Sequence, residues 1–495
     1  MSLKRNFTVG LLTSIWSALL GLAVVPLYLK YLGIESYGLI GFFATTQAIL
    51  QLLDLGLSPT INREVSRCSA SGNMLKARNL LHTLAVVYWA MAAVIALAIV
   101  VLSPLIANHW LQSEHLSRET VAHALMLMGL VVACRWPVGL YMGALMGMQR
   151  IALSSTIGAV FGTLSSLGAV AVLAFVSPTI EAFFIWQACV GIVYGIVTRI
   201  ITWQVVGSIN EFRQFAFDDL RQIWRFSAGI SVIAVTGVIL IQMDKVLLSR
   251  LLSLEDFGRY VLAGVIANGL YILLTPLFNA VYPRMTALVA AGETEKLIEL
   301  YKNGTRLFLA FFFPIAITAA VFSEDLLYLW TRNQQLATST ALISSFLILG
   351  TALNGVMHFP FALQLAYGST RLPLTIAVAL IIALAPLIVI LAFSYGAIGG
   401  AIAWFMLNIS YLFFGTWMTH KKLLKGQAIR WLMHSVCIPL GISLIVIAIG
   451  WQFTYVKGSY YYNFLWGGSF VLMAWLANLA IMPKEISMKV RQWRM

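Results

Sequence analysis

Fourteen apolar runs of about 18–29 residues, parted by charged or turn-rich breaks, dominate this sequence. A bilayer core about 30 Å thick is crossed by roughly 20 apolar residues in a helix. A closed barrel would need alternating strands of about ten residues, and these runs are continuous and about twice as long. Six fall in the first 207 residues: Phe7–Leu29, Tyr37–Pro59, Leu80–Ala107, Val121–Leu145, Ile151–Val176 and Ile180–Val206. Six follow, over Ile223–Leu248, Phe257–Val281, Thr305–Phe322, Thr338–Ala366, Pro373–Ser394 and Ala397–Met418. Trp431–Gly450 and Tyr462–Ile481 complete the set. Only 10% of the residues are charged and 60% are apolar, against about 25% charged in a soluble domain. That balance excludes a soluble fold and a disordered chain alike. The expectation is an all-α polytopic membrane protein with about 14 transmembrane helices.

The net charge of +14 invites a nucleic-acid reading, so its placement matters. With the amino terminus inside, 23 of the 32 Lys and Arg residues fall on cytoplasmic loops and tails, and six on outer loops or their borders. The other three, Arg135, Arg199 and Lys245, lie within apolar runs. This asymmetry is the positive-inside rule. It predicts a multi-pass membrane protein with an even number of spans, both termini cytoplasmic and no nucleic-acid partner. The longest connections, near Asn62–Asn79, Gly207–Gln222 and Pro283–Gly304, leave no room for a soluble domain. Cys68, Cys134, Cys189 and Cys437 show neither metal nor redox spacing, and no metal or cofactor is expected. With no Gly-Lys and no His-Glu dipeptide, the chain lacks a P-loop and a zinc-hydrolase helix. It reads as a carrier and not as an enzyme.

Self-similarity constrains the architecture further. Tyr31-Leu32-Gly33-Ile34-Glu35-Ser36-Tyr37-Gly38-Leu39 follows the first run, and Leu251-Leu252-Ser253-Leu254-Glu255-Asp256-Phe257-Gly258-Arg259 follows the seventh. Leu, Glu, an aromatic and Gly recur at an offset of 220. The same offset lays the fifth run on the eleventh, and an offset of 221 lays Gly147-Met148-Gln149-Arg150 on Gly368-Ser369-Thr370-Arg371. Six spans per copy is an even number, so the copies are parallel repeats about an axis along the membrane normal. The expected organisation is an N-lobe over 1–207, a cytoplasmic linker over 208–222 and a C-lobe over 223–420. Two additional helices and a tail occupy 421–495, and a central cavity separates the lobes.

The basic amino terminus, the Tyr-Leu-Gly-x-Glu-x-Tyr-Gly-Leu stretch and Leu53-Asp54-Leu55-Gly56-Leu57 resemble Wzx-type O-antigen flippases. These belong to the multidrug/oligosaccharidyl-lipid/polysaccharide exporter superfamily. The resemblance covers about residues 4–418. It implies a flippase that moves an undecaprenyl-diphosphate-linked oligosaccharide from the inner to the outer leaflet by alternating access. Many O-antigen flippases have twelve spans; fourteen is similar to the lipid II flippase branch and some capsule exporters. An ion-coupled multidrug or metabolite antiporter of the same superfamily is the rival reading. Protons or sodium, and a polysaccharide polymerase complex, are the further partners considered.

Ionisable groups inside spans cost about 2.5–3.5 kcal/mol each and face a cavity or a partner. Arg135, beside Trp136-Pro137, either satisfies a carbonyl freed by the proline or lines a cavity that takes a diphosphate, to which a guanidinium offers a planar fork. Lys245 is a second cationic candidate, on a stripe with Ser231 and Gln242; its neighbour Asp244 is a counter-charge or a coupling carboxylate. Neighbours on a helix point about 100° apart, so Lys245 and Asp244 are expected to face different ways. Gln47, Gln51 and Asp54 share one helical face. In the repeat-related eighth run, Asn268, Tyr271, Thr275 and Asn279 do the same. Each stripe serves as a cavity wall for sugar hydroxyls or as interhelical hydrogen bonds, with Asp54 also a coupling candidate. Arg63 and Arg284, with Arg5 and Arg225, are topological anchors or a mouth that captures a diphosphate. His358 beside Pro360 either titrates or bonds a helix kink.

Overall fold

The computed structural model describes residues 3–54, 56–207, 235–456 and 458–482. Among these the chain is all helix apart from one isolated bridge, between Gln112 and Ser253. The helices are α1 (Leu3–Leu50), α2 (Leu57–Ala70), α3 (Met74–His109), α4 (Arg118–Gly147), α5 (Ile151–Phe175), α6 (Ile180–Val206) and α7, described over 235–251. There follow α8 (Leu254–Asn268), α9 (Tyr271–Ala290), α10 (Thr294–Val321), α11 (Ser323–Thr331), α12 (Gln334–Val356), α13 (His358–Ala366) and α14 (Arg371–Lys422). Last come α15 (Ala428–Trp431), a π-helical turn over Leu432–Cys437, α16 (Ile438–Thr454) and α17 (Tyr460–Ala480). Eleven helical stretches are long and apolar enough to cross a bilayer. Large apolar side chains such as Phe175, Phe393 and Leu465 stand exposed, as hydrocarbon permits and water discourages.

Two of those stretches are double. Gly33 in α1 and Gly396 in α14 break the helical dihedrals. At the second, a Cβ on Gly399 would lie 1.9 Å from the carbonyl oxygen of Leu391, eight residues earlier. A straight helix would separate them by about 12 Å, so the chain doubles back. Runs one and two, and runs eleven and twelve, thus adjoin as the sequence predicts. The count of fourteen depends also on the seventh run, whose first part lies outside the described residues.

Several sequence boundaries are corrected. The second run is not one helix: α1 tightens into a 3-10 turn over Gln51–Asp54, and α2 starts after a left-handed Gly56. The eighth run is interrupted at Gly269–Leu270 and the tenth at Met357. The inner connections shrink because α2, α9 and α10 carry their helices past the apolar runs, bearing charges such as the Glu64–Arg67 ion pair (2.7 Å). Of the connections near 62–79 and 283–304 two tight turns remain, Ser71–Asn73 and Ala291–Glu293, with the same backbone bonds at an offset of 220 and a left-handed glycine in each, Gly72 and Gly292; residues 208–222 lie outside the described residues. The Gly147–Arg150 turn shifts register: its left-handed residue is Gln149, which matches Gly368 at 219 instead of 221. Residues 323–336, between the ninth and tenth apolar runs, fold largely into α11.

Two compact units divide the chain, Met1–Gly258 and Arg259–Met495. In the first, α2 lies against α4 along Gly139, Gly143 and Gly147. A Cβ at Gly143 would come within 2.7 Å of the Ser58 carbonyl, and one at Gly147 within 2.6 Å of that of Asn62. Small residues four apart let backbones approach where hydrophobic driving force is absent. In the second, Trp431 is fully buried, stacks on Tyr301 (5.3 Å) and donates Nε1–H to Thr305 Oγ1 (3.1 Å). Trp475 Nε1 donates to the Phe311 carbonyl (2.9 Å), and Asn463 Nδ2 to Asp325 Oδ1 (2.8 Å). The last helices are therefore fastened to α10 and α11.

Candidate functional site

A cavity of about 340 Å³ opens in the first unit, lined by Gln47, Gln51 and Asp54 from α1 and its 3-10 turn, Ser58 from α2, and Val132, Arg135, Trp136 and Gly139 from α4. The Gln47, Gln51 and Asp54 face and Arg135, singled out separately in the sequence, thus share one wall. The break after Asp54 helps: its carboxylate accepts the Ser58 backbone N–H (3.2 Å), the Ser58 hydroxyl (2.9 Å) and the Tyr88 hydroxyl. Those donors fix the carboxylate where α1 hands over to α2. Gly139 allows α4 close to the same place, a Cβ there lying 3.3 Å from Ser58 Oγ.

Arg135 is held from behind. Its Nη2 donates to Ser165 Oγ (2.9 Å) on α5 and to Gln187 Oε1 (2.5 Å) on α6, and Ser165 Oγ also donates to Gln187 Oε1 (2.5 Å). The partners are side chains of neighbouring helices and not a carbonyl freed at Pro137. No carboxylate lies within ion-pair distance of Arg135 among the described residues. Its Nε is buried without a hydrogen-bond partner, and so is Trp136 Nε1. Two buried N–H donors without acceptors, one on a cation, are costly. Both residues line the cavity, but these two atoms are closed off from it, Arg135 Nε lying against α6 near Gly191.

The other candidates are dispersed. Lys245 Nζ lies 3.6 Å from Asp244 Oδ1 and donates to the Ile241 carbonyl (3.3 Å). The neighbours do meet, because the long lysine stem bends back. Ser231 and Arg225 lie outside the described residues, as does the side chain of Arg5. Arg63 and Arg284 are exposed on α2 and α9. In the second unit Asn268 is exposed, whereas the Tyr271 hydroxyl donates to Asn354 Oδ1 (3.1 Å). Asn354 Nδ2 continues to Asn408 Oδ1 (2.9 Å), and Asn408 Nδ2 to the Trp404 carbonyl (2.8 Å). His358 Nδ1 sits 3.3 Å from the Asn354 carbonyl, across the break at Met357. One group has metal-ligand spacing among the described residues, Glu114, His115 and Glu255; it shares no residue with the cavity.

Sequence reasoning missed Ser58, Tyr88, Ser165 and Gln187. Gln187 carried a signal of its own, a lone amide in an apolar run, and Gly139-x3-Gly143-x3-Gly147 is a spacing from which the close helix pair could have been read. Tyr88 and Ser165 carried none.

Residues 3–289, more than half of the chain, match the model of a family described as "Polysaccharide biosynthesis protein". The chain belongs to this family. Residues 228–393 also match the MatE family model. A Shigella flexneri protein named "Putative O-antigen transporter" is 20% identical over 274 residues, 54% of this chain; the match spans 60% of that protein's length. The fold is similar to that of the lipid II flippase MurJ in an inward closed conformation (TM-score 0.68, 15% identity, 94% of this chain and 98% of that one). It is also similar to an inward-facing multidrug transporter of the MATE family (0.63, 14% identity, 82% and 95%). A mutant of the Vibrio cholerae MATE transporter VcmN matches too (0.59, 17% identity, 86% and 98%). The likeness to these structures shows a shared fold built on membrane-crossing helices.

Proposed function

We propose that this protein flips an undecaprenyl-diphosphate-linked oligosaccharide, an O-antigen or similar repeat unit, from the inner to the outer leaflet of a bacterial inner membrane. The observation that carries the reading is the cavity wall that sets Arg135, a cation with no carboxylate in ion-pair range among the described residues, beside Gln47 and Gln51. A cation without a carboxylate partner suits an anionic headgroup, and the Gln47 and Gln51 amides on the same wall suit sugar hydroxyls. The lipid tail stays in the bilayer while the headgroup crosses by alternating access. Lys245, Arg63, Arg284, Arg5, Arg225, Asn268 and Tyr271 are further proposed contacts along its route.

Asp54 is the proposed coupling carboxylate of this cavity, with Asp244 and His358 as further candidates. Protonation of Asp54 would give it a donor where it now only accepts, forcing Ser58 or Tyr88 to turn. A proton or a sodium ion is the coupling species, both termini are cytoplasmic, and a polysaccharide polymerase complex consumes the product. The MatE match over 228–393 favours one rival, an ion-coupled multidrug or metabolite antiporter. Two assays on the purified protein in vesicles separate them. Scrambling of a lipid-linked oligosaccharide without dye export is the expected result; gradient-dependent dye export without scrambling would replace this reading with the rival.

A further inference from the structure

The motif that exposes the duplication meets itself in three dimensions. A Cβ on Gly38 would lie 2.3 Å from the carbonyl oxygen of Leu254, and a Cβ on Gly258 would lie 2.4 Å from that of Ile34. Each pair, Ile34 with Leu254 and Gly38 with Gly258, is separated by 220 positions, so exchanging the copies returns the same contact. Neither glycine has a left-handed backbone. They serve for space and not for conformational freedom: the start of α8 and the part of α1 after Gly33 touch backbone to backbone. Tyr37 and Phe257 beside them are both buried.

A strap reinforces the crossing. The buried Glu35 carboxylate accepts the backbone N–H of Glu114 (2.7 Å) and of His115 (3.0 Å), which fixes the turn between α3 and α4. From that turn the Gln112 carbonyl accepts the Leu254 N–H (2.7 Å), and Trp110 Nε1 donates to Ser249 Oγ (3.1 Å). Residues 110–115 thus hold the first copy of the motif on one side and the second on the other.

The contact is built to part. In helical geometry the Ile34 and Leu254 carbonyls already accept the N–H groups of Gly38 and Gly258 four residues on. Separating the two backbones therefore breaks no helical hydrogen bond, and the glycines themselves have no side chain to withdraw. The strap bonds lie at a helix-end turn with exposed neighbours such as Glu114 and Arg250, where water can replace them.

We propose that the crossing of Gly38 and Gly258 is the seal that closes the outer side of the transport path and parts when the protein opens outward. The proposal rests on the transport reading above, and it adds the contact that must yield. Gln112 and Ser253, paired in the isolated bridge, span the strap without touching either glycine. A Gln112→Cys, Ser253→Cys pair, in a background whose native cysteines are replaced and which still exports, reports the seal by gel. Oxidation should give a cross-linked form that supports no export, and reduction should restore it. Gly38→Ala and Gly258→Ala should each cut cross-link yield to below about a fifth, since close-packed backbones leave a methyl group no room. Full export by cross-linked protein would overturn the proposal, as would alanine variants that cross-link at the parental yield. Because cross-linking is scored without cargo, a failed seal is distinguishable from a misassigned cargo: the second leaves the alanine effect intact and abolishes only scrambling by the unmodified protein.

Discussion

In the first unit, Gln47, Gln51 and Asp54 look onto a cavity beside an unpaired guanidinium; in the second, Tyr271, from the related stripe, ties its hydroxyl to Asn354 and through it to Asn408. The same spacing of polar residues has two outcomes. In the first unit the stripe stays open because Gly56 and the 3-10 turn bend it, while Gly139 brings α4 alongside. In the second, the chain breaks at Gly269–Leu270, and Tyr271 opens a new helix that finds amide partners. Polar periodicity tells which residues share a face, and backbone interruptions decide whether that face opens on a cavity or closes on neighbours.

The largest expected effect tests whether the open wall is the working one. Arg135→Ala should lower surface polysaccharide by about a hundredfold or more, with protein abundance retained, since one desolvated charge-assisted contact carries several kcal/mol. Asn354→Ala should instead reduce thermal stability, by about 1–3 kcal/mol for the partners left unpaired, and export only in proportion to folded protein. Loss of export in Asn354→Ala at parental abundance would erase the distinction between the units.

Gln187→Glu sharpens the comparison from behind. A carboxylate 2.5 Å from Arg135 Nη2 would supply the missing counter-charge, and export should fall by about tenfold or more as an anionic cargo loses its partner. Unchanged export would mean that the Arg135 charge is not what the cargo meets. Asp54→Asn keeps an acceptor for Tyr88 and Ser58; it should preserve the fold, measured by melting, while making export insensitive to the ion gradient. Smaller is Gln47→Ala, a neutral contact worth about 0.5–1.5 kcal/mol, or roughly two- to tenfold in export. Tyr271→Phe, which removes one hydroxyl from the second unit, should stay nearer parental export than Gln47→Ala does.

Much of this architecture was legible in the sequence. Apolar run length dictates membrane-crossing helices, and the repeated Leu-Glu-aromatic-Gly pattern announces the duplication. Helix ends were less legible, because α2 and α9 continue as charged helices where hydropathy fades. Of the interruptions inside apolar runs, two fall at glycines, Gly56 and Gly269, but Met357 is neither glycine nor proline, and in the turn between runs Gln149 takes the left-handed place that Gly368 fills in the other copy. At the cavity, periodicity revealed Gln47, Gln51 and Asp54, and charge revealed Arg135. Their convergence depends on which helix lies beside which, a property that no single helix face carries. Tyr88 was illegible because an aromatic in an apolar run is ordinary until its hydroxyl meets Asp54.

The most direct test measures scrambling of an undecaprenyl-diphosphate-linked oligosaccharide in vesicles containing the parental protein, Arg135→Lys or Arg135→Ala. An anion-receiving Arg135 predicts fast scrambling by the first, slow scrambling by the lysine variant and none above protein-free vesicles by the alanine variant. Equal rates for all three, at matched reconstitution, would contradict it.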